Sequence, residues 1–309
     1  MNIPVIDLQD VDTHTLDLAC REWGFFLLTG HDIDAAFKGQ LLASVRAFFE
    51  QSKEAKNNIR RTQSNCWGYY DAELTKNRQD WKEILDIGLA ETQGPLAGAY
   101  PQWPADDAFV ELVSRLRDQL HETALAVVDA VVATLNDSID IGNPFSNHSS
   151  FLRLNYYSPC PAPYDPNNHG EDTQQGELGI SHHTDAGAVT VLMQDEHPGL
   201  QVLHRQQWRD VPPQDDALII NIGDIVQVWS NDRYPAPQHR VLVNSRHSRI
   251  STPYFLNPDY GYNYAPLTGS EPPRYRPINW GEFRAQRSAG DYADYGSEIQ
   301  ISDFRTNSS

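Results

Sequence analysis

Hydrophobic positions along the chain follow two different spacings. Helical spacing, with apolar residues three and four positions apart, predicts helices over residues 13–23, 34–51 and 106–135. Two short apolar runs, residues 3–8 and 24–28, are typical of strands instead. The first part of the chain is therefore predicted to be rich in helices.

After residue 145 the pattern changes to short apolar runs that Gly, Pro, Asn and Asp separate. Many short strands at close spacing predict a β-sandwich or barrel, and one further helix is predicted around residues 279–286. We distinguish a helix-rich N-terminal region (1–145), a strand-rich core (146–260) and a C-terminal extension (261–309). The helices could pack on one face of the sheet, so two independent domains are not predicted. The strand-like runs of the core are residues 151–157, 188–194, 200–203, 217–222, 225–229, 239–243 and 249–256.

Composition limits the classes of partner. The 309 residues suffice for one large domain with a substantial core, and 39% of them are hydrophobic. The formal net charge of −18 would repel phosphate backbones and anionic lipids, so neither nucleic acid nor a membrane is expected as a partner. An acidic surface does not exclude a local basic pocket for a small molecule.

Cysteine usage and the ends of the chain indicate a reducing compartment. Cys20, Cys66 and Cys160 are odd in number and form no Cys-x-x-Cys pair, so neither a disulfide framework nor a structural zinc site is predicted. The N-terminus has no basic segment before an apolar run, and no stretch approaches the roughly 18 apolar residues of a membrane span. We expect a cytoplasmic protein that is a monomer or a weak homo-oligomer.

Two histidines and one aspartate form the strongest chemical signal. His183 and Asp185 are two positions apart, and His239 follows 56 residues after His183. Two imidazoles and one carboxylate can hold one face of a non-haem Fe(II) ion and leave its other positions open. Because residues two apart on a strand point the same way, we expect His183 and Asp185 on one strand face. The neighbouring His182 is expected to point to the opposite face.

A second signal is the pair Arg249 and Ser251, again two positions apart. The guanidinium of arginine binds a carboxylate with two parallel hydrogen bonds, and a serine on the same strand face adds a hydroxyl donor. The flanking Ile250, Tyr254 and Phe255 indicate a buried strand, where an arginine needs an anion. This pair could hold the far carboxylate of a small dicarboxylic acid.

Alternation within residues 151–157 gives a third group. It places Arg153, Asn155 and Tyr157 on one strand face and apolar residues on the other. The polar face could line a ligand cavity or meet solvent, and the sequence leaves both possibilities open.

Fragments that agree with a known family in order and spacing extend over nearly the whole chain. They are Ile3-Pro4-Val5-Ile6-Asp7-Leu8, Trp23-Gly24-Phe25-Phe26, Phe48-Phe49, Trp81-Lys82-Glu83, Asn155-Tyr156-Tyr157, His183-Thr184-Asp185, Gly199-Leu200-Gln201-Val202, Asn221-Ile222-Gly223-Asp224, Trp229-Ser230-Asn231, His239-Arg240-Val241 and Arg249-Ile250-Ser251. In this arrangement the chain resembles the isopenicillin N synthase-like branch of the iron- and 2-oxoglutarate-dependent dioxygenases.

The resemblance implies a mainly β fold with a double-stranded β-helix core, a cupin-like jelly roll, and flanking helices. It implies Fe(II) as the metal, 2-oxoglutarate as cosubstrate and O2 as oxidant. A small molecule would be hydroxylated, desaturated or cyclised with release of succinate and CO2. By position, the resemblance implies iron ligation by His183, Asp185 and His239, and 2-oxoglutarate binding by Arg249, Ser251, Tyr157 and Asn155.

The substrate site is less defined. Lys82 and Arg153 would suit a carboxylated substrate, whereas Tyr69 and Tyr70 would suit a flat aromatic one. The C-terminal extension near Tyr292 and Tyr295 is a candidate lid. The full set of candidate substrate residues is Tyr69, Tyr70, Lys82, Arg153, Phe255 and Asn257.

Two other functions remain open at this point. An iron oxidase of the same family could use the three ligands without 2-oxoglutarate. A non-catalytic cupin-like metal-binding protein would need the ligands but no anchor for a cosubstrate, and Arg249 and Ser251 argue against it.

Overall fold

The computed structural model describes residues 3–92, 94–135, 141–165, 176–267, 271–289 and 299–306. The helices are α1 (Thr13–Glu22), α2 (Ala35–Phe49), α3 (Lys53–Asn57), α4 (Asp107–Leu135), α5 (Asp224–Trp229) and α6 (Trp280–Ala289), with short 3-10 helices at Gly94–Leu96 and Ile301–Phe304. The strands before α4 are β1 (Val5–Asp7), β2 (Phe25–Thr29), β3 (Gly68–Tyr70), β4 (Leu74–Thr75), β5 (Arg78–Gln79) and β6 (Glu83–Ile87). The strands after α4 are β7 (Phe151–Tyr157), β8 (Leu178–His183), β9 (Val189–Gln194), β10 (Leu200–His204), β11 (Gln207–Asp210), β12 (Leu218–Ile222), β13 (His239–Leu242), β14 (Arg249–Leu256), β15 (Asn263–Tyr264) and β16 (Ile278–Asn279).

Most of the strands form two sheets. The large sheet has eight strands in the order β1-β2-β12-β9-β14-β7-β6-β3, and the small sheet has four in the order β11-β10-β13-β8. Within the large sheet β1 and β2 are parallel, and the neighbours from β2 onward are antiparallel. This is the jelly-roll fold with flanking helices that the sequence predicts.

The large sheet is covered on both faces, which explains the apolar runs of several of its strands. Phe25 and Leu27 of β2 point toward the small sheet and pack with Val202 and Val241. Phe26 of β2 and its alternate neighbours point the other way, into the core beneath α1, α2 and α4. The predicted apolar stripe of α4 is confirmed as core packing on this outer face.

The sequence interpretation differs from the structure in several elements. Residues 225–229 were predicted as a strand but form α5, which begins at Asp224 directly after Gly223. A five-residue run with four apolar residues fits a buried helical turn as well as a strand, so periodicity could not separate the two. The N-terminal region also supplies four strands to the large sheet: β1 and β2 were predicted, whereas β3 and β6 were not.

Candidate active site

The two histidines of the predicted metal site meet across a strand pair. His183 is the last residue of β8, and His239 is the first residue of β13, where the two residues pair in register. Asp185 lies in the turn after β8, so the expectation that His183 and Asp185 share one strand face is wrong. The turn returns the carboxylate to the imidazoles, and Asp185 Oδ1 lies 3.5 Å from His183 Nε2 and 3.6 Å from His239 Nε2.

Hydrogen bonds on the far side of each ring orient the two imidazoles. His183 Nδ1 lies 2.8 Å from the Ser181 carbonyl oxygen, and His239 Nδ1 lies 3.2 Å from the Pro237 carbonyl oxygen. An Nδ1 that donates to a carbonyl leaves the Nε2 lone pair available to a metal. Burial, together with the nearby His239, lowers the pKa of His183 to about 4, so its imidazole is neutral at physiological pH.

The carboxylate of Asp185 is oriented in the same manner. Its Oδ2 atom accepts hydrogen bonds from Thr190 Oγ1 and, at 2.8 Å, from Asn221 Nδ2, which leaves Oδ1 facing the histidines. Burial opposes ionisation, but His239 and His183 outweigh it and hold the pKa of Asp185 well below its usual value. The sequence reasoning did not assign Thr190 or Asn221, although Asn221 begins one of the family fragments.

This set of atoms fits an Fe(II) ion. Two ligand atoms that each lie about 2.1 Å from one ion at a right angle are roughly 3 Å apart, close to the separations found here. Neutral imidazole and carboxylate are the ligand types that non-haem iron takes. As expected, His182 points away from the cavity, and its ring lies 6.5 Å from that of Trp208.

The predicted anion site adjoins the predicted metal ligands in one cavity. Strands β7 and β14 are neighbours, and their register places Arg249 beside Tyr157 and Ser251 beside Asn155. Arg249 is 2% exposed, with Nη2 donating to Gln194 Oε1 at 2.7 Å.

Three polar atoms at this end of the cavity have no hydrogen-bond partner among the described residues. They are Arg249 Nη1, the Tyr157 hydroxyl and Asn155 Oδ1. Buried polar groups are almost always hydrogen-bonded in native proteins, so unmet groups that converge on a cavity indicate a bound ligand. A cation and a hydroxyl donor fit a carboxylate of that ligand.

The cavity opens to solvent, and its lining extends beyond the three predicted metal ligands and Arg249. Lys82, Arg153, Phe255 and Asn257 line it, as predicted. Its apolar wall is formed by Phe25, Leu74, Phe151, Ile180, Leu192, Leu200, Val241, Pro253 and Trp280.

Two candidate substrate residues lie elsewhere. Tyr69 is 1% exposed in the helical core, and its hydroxyl donates to Glu83 Oε2. Tyr70 lies beneath the guanidinium groups of Arg60 and Arg61. Neither lines the cavity, so the prediction that they contact a flat aromatic substrate is wrong. Tyr292 and Tyr295, the candidate lid, lie outside the described residues.

Lys82 and Arg153 lie at the cavity wall, where buried carboxylates form ion pairs with both of them. Lys82 Nζ lies 2.7 Å from Glu73 and 3.0 Å from Asp80, and Arg153 contacts Glu73 at 2.8 Å and Asp86 at 2.7 Å. Burial would lower the pKa of Lys82, but the two acids outweigh it and raise that pKa. The expected role of these two cations in binding a substrate carboxylate is therefore not favoured.

Comparisons with known proteins agree with this geometry. A family model described as 2OG-Fe(II) oxygenase superfamily matches residues 148–258, and one described as non-haem dioxygenase in morphine synthesis N-terminal matches residues 3–106. The chain is 30% identical over 297 residues to oxoglutarate-dependent flavonoid 7-O-demethylase 1 of Ocimum basilicum, covering 91% of this chain and 76% of that protein.

Solved structures match over a similar extent. A full-length Neurospora crassa protein in complex with alpha-KG, which is 2-oxoglutarate, has a TM-score of 0.77 at 26% identity, and the match covers 93% of this chain and 95% of that one. JOX2 in complex with 2OG, Fe and JA has a TM-score of 0.78 at 28% identity, with coverages of 95% and 87%.

No helix among the described residues has the length and apolar character needed to cross a bilayer. The relatives favour a 2-oxoglutarate-dependent enzyme over the two alternatives that the sequence left open. The chain belongs to the superfamily of 2-oxoglutarate- and Fe(II)-dependent oxygenases, and it is a dioxygenase that acts on a small molecule with Fe(II), 2-oxoglutarate and O2.

Proposed function

We propose that His183, Asp185 and His239 are the iron ligands of this enzyme, and that Arg249 and Ser251 hold the distal carboxylate of 2-oxoglutarate. The Tyr157 hydroxyl is a further donor to that carboxylate, and Asn155 lies toward the metal end of the cosubstrate. The primary substrate occupies the remaining part of the cavity and is oxidised there, with succinate and CO2 as the products of 2-oxoglutarate.

The observation that carries the proposal is the unmet Nη1 of Arg249 in the same cavity as the three metal ligands. A buried guanidinium is strongly destabilising unless an anion pairs with it. Arg61 and Arg153, which are structural, have buried carboxylates for this purpose. The other two donors of Arg249 bond to neutral groups: Nε to the His197 carbonyl and Nη2 to the Gln194 side chain. This supports a ligand as the source of the anion that pairs with Arg249.

These contacts indicate a separate role for each part of the site. Iron held by two imidazoles and one carboxylate supplies open coordination positions and the redox chemistry that O2 requires. Thr190 and Asn221 keep Asp185 in the orientation that presents Oδ1. Leu192 and Val241 belong to the apolar wall that excludes water from the reacting groups.

Arg249→Gln tests the anchor. We expect this variant to bind 2-oxoglutarate about 100-fold more weakly, because a bidentate, charge-assisted contact is lost. Calorimetry on the anaerobic Mn(II) complex measures the Kd. The matched ligand is 2-oxobutanoate, which keeps the 2-oxo acid group and lacks the distal carboxylate, so its Kd should be the same in both proteins. Unchanged 2-oxoglutarate binding would contradict the assignment of Arg249.

A further inference from the structure

Five basic side chains line the iron cavity within the described residues: Lys82, Arg153, Arg249, Arg284 and Arg287. Lys82 and Arg153 are ion-paired with buried acids. Arg287 donates to two backbone carbonyls, at 2.9 Å and 3.0 Å. Arg249 is assigned to the cosubstrate. The cation that remains is Arg284, which the sequence reasoning did not identify.

Arg284 lies on α6 and is half-buried at the cavity wall. Its guanidinium carbon is 5.5 Å from the centre of the Phe151 ring, and no described carboxylate forms a salt bridge with it. Glu91 influences it only at longer range and accepts a hydrogen bond from the Tyr260 hydroxyl at 3.3 Å. Burial raises the pKa of Glu91 to about 7, so Glu91 carries only part of a negative charge near neutral pH.

Arg249 and Arg284 lie toward opposite ends of the cavity, as the positions along β14 indicate. Arg249 and Phe255 are six residues apart on this strand, which corresponds to about 20 Å. Phe255 pairs with Thr190, the residue that holds the metal ligand Asp185. The iron ligands therefore lie near the Phe255 end, where Arg284 approaches from α6, and the cosubstrate anchor lies at the other end.

Aromatic rings line the cavity beside Arg284. Phe151 and Phe255 stack with ring centres 4.8 Å apart, and Phe151 is the ring beneath Arg284. Trp280 and Pro253 continue this wall. A guanidinium beside an apolar wall recognises an organic anion, with the charge on the arginine and the carbon skeleton on the rings.

We propose that Arg284 is a specificity-determining residue that binds a carboxylate of the primary substrate, whose apolar part lies against Phe151 and Phe255. The inference rests on the proposed function, because it takes this cavity as the substrate site. A carboxylate fits because its two oxygens match the planar fork of a single guanidinium. The chain carries a net charge of −18, so a local cation is needed to draw an anion into this cavity.

The test compares acids with amides of the same skeleton. The probes are phenylacetate, 3-phenylpropanoate and 4-phenylbutanoate at millimolar concentration, each beside its primary carboxamide. Mn(II) replaces iron in the protein with 2-oxoglutarate bound, and proton relaxation of each probe reports its binding close to the metal. The same probes are then assayed for stimulated succinate formation by the Fe(II) enzyme.

We expect the acids to bind the wild type more tightly than their amides do. Arg284→Gln should weaken acid binding about tenfold or more and leave amide binding unchanged, while Arg284→Lys should keep part of the preference for acids. The matched control is Arg115→Gln, because Arg115 is also a helical arginine over a phenylalanine, 4.2 Å from the Phe37 ring, but lies outside the cavity.

Equal binding of acids and amides by the wild type, including no binding of either, overturns the inference. An acid affinity that Arg284→Gln leaves unchanged overturns it as well. The Kd for 2-oxoglutarate, measured on the same samples, separates this failure from a failure of the proposed function. If the wild type binds 2-oxoglutarate but shows no preference for acids, only the role of Arg284 is refuted. If the wild type does not bind 2-oxoglutarate, the proposed function is refuted.

Discussion

Hydrogen bonds to the far side of each ligand decide which atom faces the metal. Both histidines use Nδ1 on a backbone carbonyl, and Asp185 uses Oδ2 on Thr190 and Asn221. These hydrogen bonds fix the direction of the atoms that face the proposed metal site, which reduces the conformational entropy that metal binding must fix.

Thr190→Val removes one of these hydrogen bonds and keeps the side-chain shape. We expect Fe(II) or Mn(II) to bind about 10- to 100-fold more weakly, because Asp185 Oδ2 loses a donor and Oδ1 loses its fixed direction. Metal titration measures the affinity. Thr252→Val is the matched control, since Thr252 is also buried but donates to the Met193 carbonyl away from the cavity. Equal losses in the two variants would contradict a role in orienting the ligand.

For individual residues, the sequence indicates the proposed ligands more readily than the residues that surround and orient them. His183, Asp185 and Arg249 stand in short motifs whose chemistry is local. Thr190 depends on the pairing of strands, and Arg284 depends on where α6 docks against the sheet. Such contacts join residues far apart in the chain, and periodicity carries no information about them.

The neighbouring strands β7 and β14 contribute four residues each to the cavity wall, and alternation along each strand determines which side chains face it. Arg153, Asn155 and Tyr157 face the cavity, while the intervening residues of β7 face the helical core. The sequence predicts both strands with their observed bounds, because each is long and rich in aromatic and branched residues. It does not decide between cavity and solvent, which depends on the small sheet opposite.

Shorter elements are predicted less well. Strand β8 carries His183, the first proposed histidine ligand, yet no alternating apolar run marks residues 178–183. The strands between residues 68 and 87 are short and partly polar, and buried ion pairs as well as apolar packing hold them. Tertiary contacts override local pattern in both places.

Glu73 is the centre of that ion cluster and precedes the β4 strand at the cavity wall. It accepts from Arg61 and Arg153, and its other oxygen lies 2.7 Å from Lys82. Glu73→Gln leaves three buried cations with two acids, so we expect the free energy of unfolding to fall by about 3 kcal/mol. Urea unfolding measures this change.

The control for Glu73→Gln is Glu22→Gln. Glu22 forms an exposed pair with Arg205 at 3.6 Å, and its loss should change the free energy of unfolding by less than about 0.5 kcal/mol. If both variants were equally stable, the buried cluster would not hold this segment in place.

At the scale of the whole molecule, the large sheet joins the segments of the chain that precede and follow α4. Its strands come from both sides of α4, and the helices cover its outer face. His148, just before β7, contributes to this junction. Its ring stacks on His121 of α4 with centres 4.4 Å apart, and its Nδ1 accepts from the Ser150 amide at 3.3 Å.

This junction should make stability depend on pH. Burial, with His121 and Arg117 nearby, lowers the pKa of His148 from 6.5 to about 4. The unfolded chain therefore takes up the proton first as the pH falls, so the contribution of His148 is complete above about pH 6.5 and is lost toward pH 4. Because the ring is partly exposed, we expect a loss of only about 1 kcal/mol.

Urea unfolding across this pH range compares the wild type with His148→Gln. The variant should lose about 1 kcal/mol less than the wild type on acidification. His14→Gln, at an exposed position of α1, controls for removal of an imidazole. Parallel pH profiles for the wild type and His148→Gln would contradict the argument.

The most direct test of the central claim is anomalous diffraction at the iron edge from crystals grown without oxygen in the presence of Fe(II) and 2-oxoglutarate. We expect a single iron peak about 2.1 Å from His183 Nε2, His239 Nε2 and Asp185 Oδ1, with a carboxylate at Arg249 Nη1. An iron peak elsewhere, further protein ligands that close the open positions, or a 2-oxoglutarate molecule that avoids Arg249 would contradict it.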